Sequence, residues 1–246
     1  MRFIILLVLA ASCAPIYVPT TRNAPLFRGA GEFQASAYLT TGLDAQVAYA
    51  LTDHIGVTGG YNFLSQKQEL PTYTPEPSFQ RKNNYGEVGL GLYQSTRSMR
   101  YELYAGYGKG EGTSYSNYYF FAQDFGVKGI VATGKYQRFY IQPSIATNKK
   151  KFNLAFTIRV SGVDFSEFTS DGFTSNMVTK NPDEPVHIFV EPALTGKFPL
   201  AGNLYGVFQL GLTGPIPSEV YFEYVPLQFA IGIQLKAGGS LRSRVY

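Results

Sequence analysis

Hydrophobic positions alternate with polar or small ones in this chain from residue 31 almost to its end. In the stretch 227–236, every odd position is Leu, Phe or Ile, and every even position is Gln, Ala, Gly or Lys. Successive side chains of a β-strand point to opposite faces, so this period of two predicts strands with one apolar face and one polar or small face. No segment between them has the period of a convincing amphipathic helix. The pattern predicts an all-β protein.

Ten segments show the alternation, and we predict a strand for each. They span residues 31–39, 43–52, 54–64, 84–94, 99–109, 130–147, 151–165, 186–198, 203–213 and 221–236. Consecutive strands joined by short links form an antiparallel up-and-down meander.

The lengths of the connections separate a membrane barrel from a soluble sandwich. The second, fourth, sixth and eighth connections hold one to four residues, whereas the third, fifth and seventh (65–83, 110–129 and 166–185) hold 19 or 20. Outer-membrane barrels have short periplasmic turns and longer outer loops. A sheet in lipid cannot keep open edges, because each unpaired backbone group costs several kcal/mol. We therefore predict a closed transmembrane barrel of about ten strands, with eight as the alternative.

The N-terminus has the order of a secretory signal. Arg2 precedes a short apolar run that ends in Ala10-Ala11-Ser12-Cys13, and Cys13 is the only cysteine. The run is too short to span a membrane, which needs roughly 20 residues. A cysteine at this place resembles the bacterial lipobox, which predicts a signal peptide over 1–12 and lipidation at Cys13. Two alternatives stay open: an incidental thiol before cleavage at Ala14, and a buried core cysteine.

Residues 13–30 contain Pro15, Pro19 and Pro25 and show no periodicity, which predicts a lipidated tether outside the folded body. The barrel would then span 31–236, and 237–246 would form a periplasmic tail. A lipid anchor next to the first strand would place all short turns on the periplasmic side. We thus expect an outer-membrane protein anchored from the periplasmic side, with its long loops outward.

Composition supports this fold class and excludes several functions. The chain has 246 residues with 19 Tyr, 19 Phe and 26 Gly, and only 15% of its residues are charged, which favours strands and turns. The net charge is +4, and the sequence contains no dense Lys/Arg cluster. We therefore predict no nucleic-acid partner. One cysteine permits no intrachain disulfide, and two histidines without nearby partners predict no metal site and no cofactor.

Charged residues recur on the polar face of the predicted strands, where they would face the lumen. These candidates are Asp44, Glu87, Glu102, Arg138, Arg159 and Glu191. They would form either a charged constriction that selects solutes or matched ion pairs that fill the lumen. An eight-stranded barrel is just filled by its own side chains, and ten strands are slightly wider. We therefore favour a plugged lumen.

Two further groups of residues offer candidate chemistry. The fifth connection contains aromatic residues that would form either an interfacial girdle or a surface for glycan, lipid or protein; they are Tyr115, Tyr118, Tyr119, Phe120 and Phe121. His187 and Glu191 share one face of a strand, but no serine nucleophile is close in sequence. We predict no catalytic residue.

Several runs in the chain are similar to small outer-membrane β-barrel lipoproteins of the Bacteroidota. The runs are Cys13-Ala-Pro-Ile-Tyr-Val-Pro, Asn23-Ala-Pro-Leu-Phe, Gly31-Glu-Phe-Gln, Gln142-Pro143-Ser144-Ile145 and Leu241-Arg242-Ser243-Arg244-Val245-Tyr246. The resemblance covers the whole mature chain and implies location and fold only, since the group carries no assigned activity.

From these observations we expect a non-enzymatic structural or interaction protein of the cell envelope. Its partners would be outer-membrane lipid and envelope proteins, with its oligomeric state open. The alternative is a narrow channel for small solutes, and a lipid-modifying enzyme, a lipase or deacylase, is third.

Overall fold

The computed structural model describes residues 15–68, 79–116, 130–171, 177–179, 186–216, 220, 222 and 224–238. Within these ranges there is no helix long and apolar enough to cross a membrane. The strands are β1 (Phe33–Leu39), β2 (Leu43–Ala50), β3 (Ile55–Gln68), β4 (Phe79–Ser95), β5 (Met99–Ser116), β6 (Ile130–Thr147), β7 (Asn153–Asp171), β8 (Met177–Thr179), β9 (His187–Ala201), β10 (Leu204–Leu212), β11 (Gly214–Ile216) and β12 (Leu227–Ala237).

Ten of these strands form a closed antiparallel ring in the order β1 to β7, then β9, β10 and β12. The ring closes where β12 pairs with β1, from Phe33 opposite Ala237 to Leu39 opposite Ile231. Strand β7 pairs with β9 along eleven residue pairs. The three-residue strands β8 and β11 pair with one end of β7 and of β9, respectively, and are not part of the ring. The prediction of a ten-stranded up-and-down barrel is confirmed.

In the barrel, the apolar side chains of the alternating pattern point outward and the polar ones point into the lumen. On β4, the outward side chains of Val88, Leu90 and Leu92 are 65%, 58% and 59% exposed, whereas the inward Glu87 is 7% exposed. On β12, the side chains from Leu227 to Leu235 follow the same order, with the apolar ones outside. This is the reverse of a water-soluble protein and matches a barrel surrounded by lipid.

The barrel is taller on one side than on the other. Strands β4 to β7, here called the tall wall, hold 17 to 19 residues each, whereas β1 and β2 hold 7 and 8. A tilted strand needs only about 9–11 residues to span the membrane. The predicted third, fifth and seventh connections were therefore too long, because their strands continue. The last strand begins at Leu227 and not at residue 221.

The barrel has two distinct ends. We call the end with the connections after β3, β5, β7 and β10 the loop end, and the opposite end, with the connections after β2, β4, β6 and β9, the turn end. At the loop end, the outward side chains of the tall wall become polar, and Lys135 pairs with Glu167 at 2.9 Å. A groove of about 520 Å³ crosses this surface between Tyr61, Lys109 and Lys135. This part of the wall projects beyond the hydrocarbon layer.

One predicted segment lies wholly outside the described residues, and another lies mostly outside them. The signal peptide and Cys13 precede Pro15, and the predicted tail is described only as far as Gly238.

Glycines on the tall wall make room for inward tyrosines. A Cβ at Gly106 would overlap the ring of Tyr140, which is itself buried. We expect Gly106→Ala to lower the free energy of unfolding by about 1–3 kcal/mol through overpacking. The matched control is Gly86→Ala on β4, where the nearest atom to an added Cβ, in Tyr61, is 3.6 Å away. Urea unfolding in micelles measures both; equal effects would contradict the packing role of Gly106.

Candidate functional site

The lumen of the barrel is occupied by the protein's own N-terminal segment. Every residue from Pro15 to Phe27, here called the luminal segment, is buried. Tyr17, Thr21 and Arg22 have at most 1% of their surface exposed. The prediction that residues 13–30 form a tether outside the folded body is therefore wrong for this segment. Its polar side chains and main chain are bonded to the lumen wall, and its apolar residues pack inside the barrel.

The luminal segment runs along the barrel from the loop end to the turn end. Ile16 lies against Gly112, near the loop end of β5, where an added Cβ would be 2.7 Å from the Ile16 oxygen. Phe27 packs on Tyr93 at the turn end of β4, with ring centroids 5.2 Å apart. The chain then leaves the lumen, and Ala30 N–H donates to Asp53 Oδ1 in the turn between β2 and β3. Strand β1 begins only after this crossing.

This path corrects the topology expected from the sequence. We expected an anchor at Cys13 to lie beside β1 and the short turns. Because the luminal segment crosses the lumen, its first described residues and the start of β1 lie at opposite ends of the barrel. The described start of the luminal segment is therefore not beside the short turns, where the sequence led us to expect it.

Wall side chains hydrogen-bond to the main chain of the luminal segment. Gln209 both accepts from Arg22 N–H at 2.8 Å and donates to the Arg22 carbonyl at 3.0 Å. The other wall partners of its main chain are Gln228 to Pro19 O, Asp44 to Thr21 N, Gln46 to Thr21 O, Gln142 to Asn23 O, Lys197 to Ala24 O, Glu102 to Leu26 N and Arg100 to Leu26 O. A buried backbone group without a partner costs free energy, so these side chains replace a strand partner.

Leu26 marks the point where the luminal segment turns out of the lumen. It has a positive φ of 59°, a left-handed conformation that costs a non-glycine residue about 1–2 kcal/mol. Glu102 accepts from its N–H at 2.6 Å, and Arg100 donates to its carbonyl at 3.0 Å. The two wall side chains hold both polar groups of the strained residue, which fixes the exit of the chain.

Arg22 is the central anchor of the luminal segment. Its guanidinium is fully enclosed and donates to Gln228 Oε1 at 2.7 Å, to the Leu212 carbonyl at 2.9 Å and to Thr213 Oγ1 at 3.0 Å. Glu191 Oε2 lies 3.5 Å away and supplies the opposite charge. The pocket thus provides both the acceptors and the carboxylate that a buried guanidinium requires.

Four of the six predicted luminal residues form one network around the segment. Glu87 pairs with Arg138 and, at 3.2 Å, with Arg159. Arg138 also lies 3.9 Å from Glu191 and donates to the Tyr17 hydroxyl at 2.9 Å. The charges of opposite sign are thus in contact, as a buried network needs. All four side chains are buried inside the barrel.

The other two predicted residues have a different role. Asp44 accepts from the N–H and the hydroxyl of Thr21 at 2.7 and 2.8 Å, and Glu102 accepts from Leu26 N–H. Both carboxylates face the lumen, but each binds the main chain of the luminal segment and takes no part in the network around Glu87.

An aromatic cluster closes the lumen at the loop end. Tyr17 packs on Phe189 with centroids 4.9 Å apart, and Phe165 packs on Phe222 at 4.6 Å. A register shift between β6 and β7 adds one residue, Ser166, to β7, so both Phe165 and Phe168 point inward. The cluster and the luminal segment together fill the upper lumen.

Of the remaining candidates, the structure describes His187 and Tyr115. The ring of His187 meets Phe222 edge-on at 5.1 Å, within the aromatic cluster. Among the described residues, no three His, Cys, Asp or Glu side chains are grouped to hold a metal. Tyr115 lies on β5 and not in a connection, so its assignment to an outer loop is wrong. Tyr118, Tyr119, Phe120 and Phe121 lie outside the described residues.

Sequence reasoning missed Arg22 and most of the wall amides. Arg22 lies in a stretch without periodicity, so nothing in its neighbourhood assigns it to a face. The amides had a signal, because Gln46, Gln142, Gln209 and Gln228 all occupy polar positions of alternating strands. Neutral side chains that both donate and accept suit a main-chain ligand better than a solute constriction.

Comparisons with known proteins add little beyond the fold. No protein-family model and no curated protein matches the sequence. Among solved structures, the KdgM porin matches with a TM-score of 0.36 and 8% identity, over 83% of this chain and 98% of that one. A loop L8 deletion mutant of OmpT, an outer-membrane protein of Vibrio cholerae, matches with 0.22 and 6%, over 84% and 97%. Similarity this low carries no argument about function.

We expect Arg22→Ala to weaken the anchoring of the luminal segment by about 3–5 kcal/mol, because Glu191 and several acceptors lose a buried partner. Urea unfolding in micelles, combined with protease cleavage of the segment, measures the loss. Arg28→Ala is the matched control, since Arg28 is exposed at the turn end. Equal stability of the two variants would contradict the anchor role.

Proposed function

We propose that this protein is an outer-membrane barrel that acts as a non-enzymatic structural or interaction protein of the envelope, with a closed lumen. One observation carries the proposal: residues 15–27 fill the lumen and are bonded to its wall at all heights. A solute would have to displace a buried peptide with more than ten hydrogen bonds. A function at the surface therefore fits better than transport.

The tall wall supports an interaction role. Its outward face beyond the apolar belt carries Lys109, Glu111 and Lys135 around an open groove, and the groove also includes the ring of Tyr61. Exposed aromatic rings such as that of Tyr61 are enriched at protein interfaces, and the charged side chains around it would form the polar rim of a contact with another envelope protein. Outer-membrane lipid would surround the apolar belt, which is the band of exposed apolar side chains such as Val88, Leu90 and Leu92 on the turn-end side of this groove.

We expect the wild-type protein to show no steady conductance steps in planar bilayers, because the luminal segment closes the barrel. A variant that lacks residues 15–27 should conduct if it folds. Since this deletion leaves buried charges unpaired, the double variant Tyr17→Ala/Arg22→Ala provides a second test and should give intermittent openings.

Arg28→Ala serves as the control and should stay silent. Steady steps from the wild-type protein would refute the closed lumen and favour the alternative, a narrow channel for small solutes. Heat-modifiable migration on gels identifies folded protein in every sample.

We also propose that Cys13 is lipidated and that its lipid lies at the loop end. In the sequence, Cys13 precedes Pro15, the first described residue of the luminal segment, by two positions. The first residues of the luminal segment lie near the loop end, where Ile16 contacts Gly112 of β5. Phe27 lies at the level of Tyr104, about eight residues closer to the turn end along β5. If the loop end faces outward, as in other outer-membrane barrels, the lipid would enter the outer leaflet.

Labelled fatty acid should join the wild-type protein but not Cys13→Ser. An epitope inserted between Cys13 and Ala14 should bind antibody on intact cells, whereas the same epitope between Arg97 and Ser98, at the turn end, should require permeabilised cells. Absence of label would refute lipidation. An epitope next to Cys13 that is accessible only after permeabilisation would refute the proposed side.

A further inference from the structure

The wall of the lumen has the chemistry of a peptide-binding site. Nine polar main-chain atoms between Pro19 and Leu26 bond to wall side chains. All of the partners are amide or charged side chains, at eight different positions of the barrel, and none of these nine atoms bonds to the main chain of a strand. Such a wall recognises an extended polypeptide through groups that every peptide carries.

We propose that the lumen is a binding site for an extended peptide with a central arginine, occupied here in cis by residues 17–27. The site holds this segment without needing its covalent link to β1, so a free peptide of the same chemistry can replace it. This binding activity goes beyond a closed barrel, because a permanently built-in core segment would not exchange.

Arginine selectivity follows from the pocket around Arg22. Arg22 is the only charged residue between Pro15 and Phe27. Its guanidinium donates to the buried side chains of Gln228 and Thr213 and to the part-buried Leu212 carbonyl, and the buried carboxylate of Glu191 lies 3.5 Å away. A peptide without a cation at this position would leave Glu191 short of one of its partners. The ligand class is therefore a peptide with arginine between small hydroxyl and amide residues, as in Thr20-Thr21-Arg22-Asn23.

The covalent link between the luminal segment and β1 lies outside these contacts. Arg28 is exposed, and Gly29 to Gly31 are only half-buried at the turn end. The link makes two hydrogen bonds to carboxylates, Arg28 N–H to Glu32 and Ala30 N–H to Asp53. A cut here removes the covalent bond while all wall contacts from Pro19 to Leu26 stay in place.

The test inserts a specific protease site between Arg28 and Gly29 of the full-length protein. After folding in micelles and cleavage, the released segment should co-elute with the barrel in size-exclusion chromatography. Excess fluorescent peptide of residues 15–28 should then replace it. A second insertion, between Gly29 and Ala30, is used if the first variant does not show heat-modifiable migration.

Two pairs of peptides separate recognition from simple packing. The Arg22→Ala peptide should bind at least about 30-fold more weakly, because a buried charge pair loses one partner. N-methylation at Thr21 removes a hydrogen bond to Asp44 and should weaken binding about tenfold or more. N-methylation at Ala24 is the control, since no hydrogen bond of its N–H joins it to the described part of the wall.

Retention of the cut segment with exchange, and the expected order of the four peptides, would establish the site. Loss of the segment from a folded barrel with no binding of added peptide would overturn the proposal. Retention without exchange over a day would also overturn it. Equal affinity of the two N-methylated peptides would show that the main chain is not what the wall recognises.

Discussion

The satisfaction of buried polar groups is the constraint on which this structure depends. A barrel in lipid must turn its apolar side chains outward, so its polar side chains crowd into a narrow lumen. There, Glu87, Arg138, Arg159 and Glu191 would be costly without partners. These residues pair with one another, and the luminal segment supplies further partners, because Tyr17, Thr20 and Arg22 bond directly to members of this network. Closure of the barrel and filling of its interior thus satisfy the same requirement, which is that buried polar groups have partners.

The two surfaces of the barrel have separate tasks. The apolar belt faces lipid, and the tall wall carries a polar outer face beyond it. The interior is occupied by the protein's own residues 15–27. This division is the reason why we place the proposed interaction role at the loop end.

Much of the fold could be predicted from the sequence, and little of the site. Period-two alternation located all ten strands of the ring, and the parity of the connections indicated a membrane barrel. The boundaries at the loop end failed, because strands such as β4 and β5 continue beyond the membrane with polar side chains on both faces. Residues 110–116 of β5 are mostly glycine and polar residues, a composition that resembles that of a loop.

The sequence by itself determined which side chains face lipid and which face the lumen, since that follows from the local geometry of a strand. It also supplied the charged residues of the network. Only the tertiary structure decided that residues 15–27 lie inside the barrel. Their bonds join positions 23 to 209 residues apart, such as Thr21 with Asp44 and Pro19 with Gln228. A segment held through its main chain leaves no periodic trace, because each residue carries the same main-chain groups.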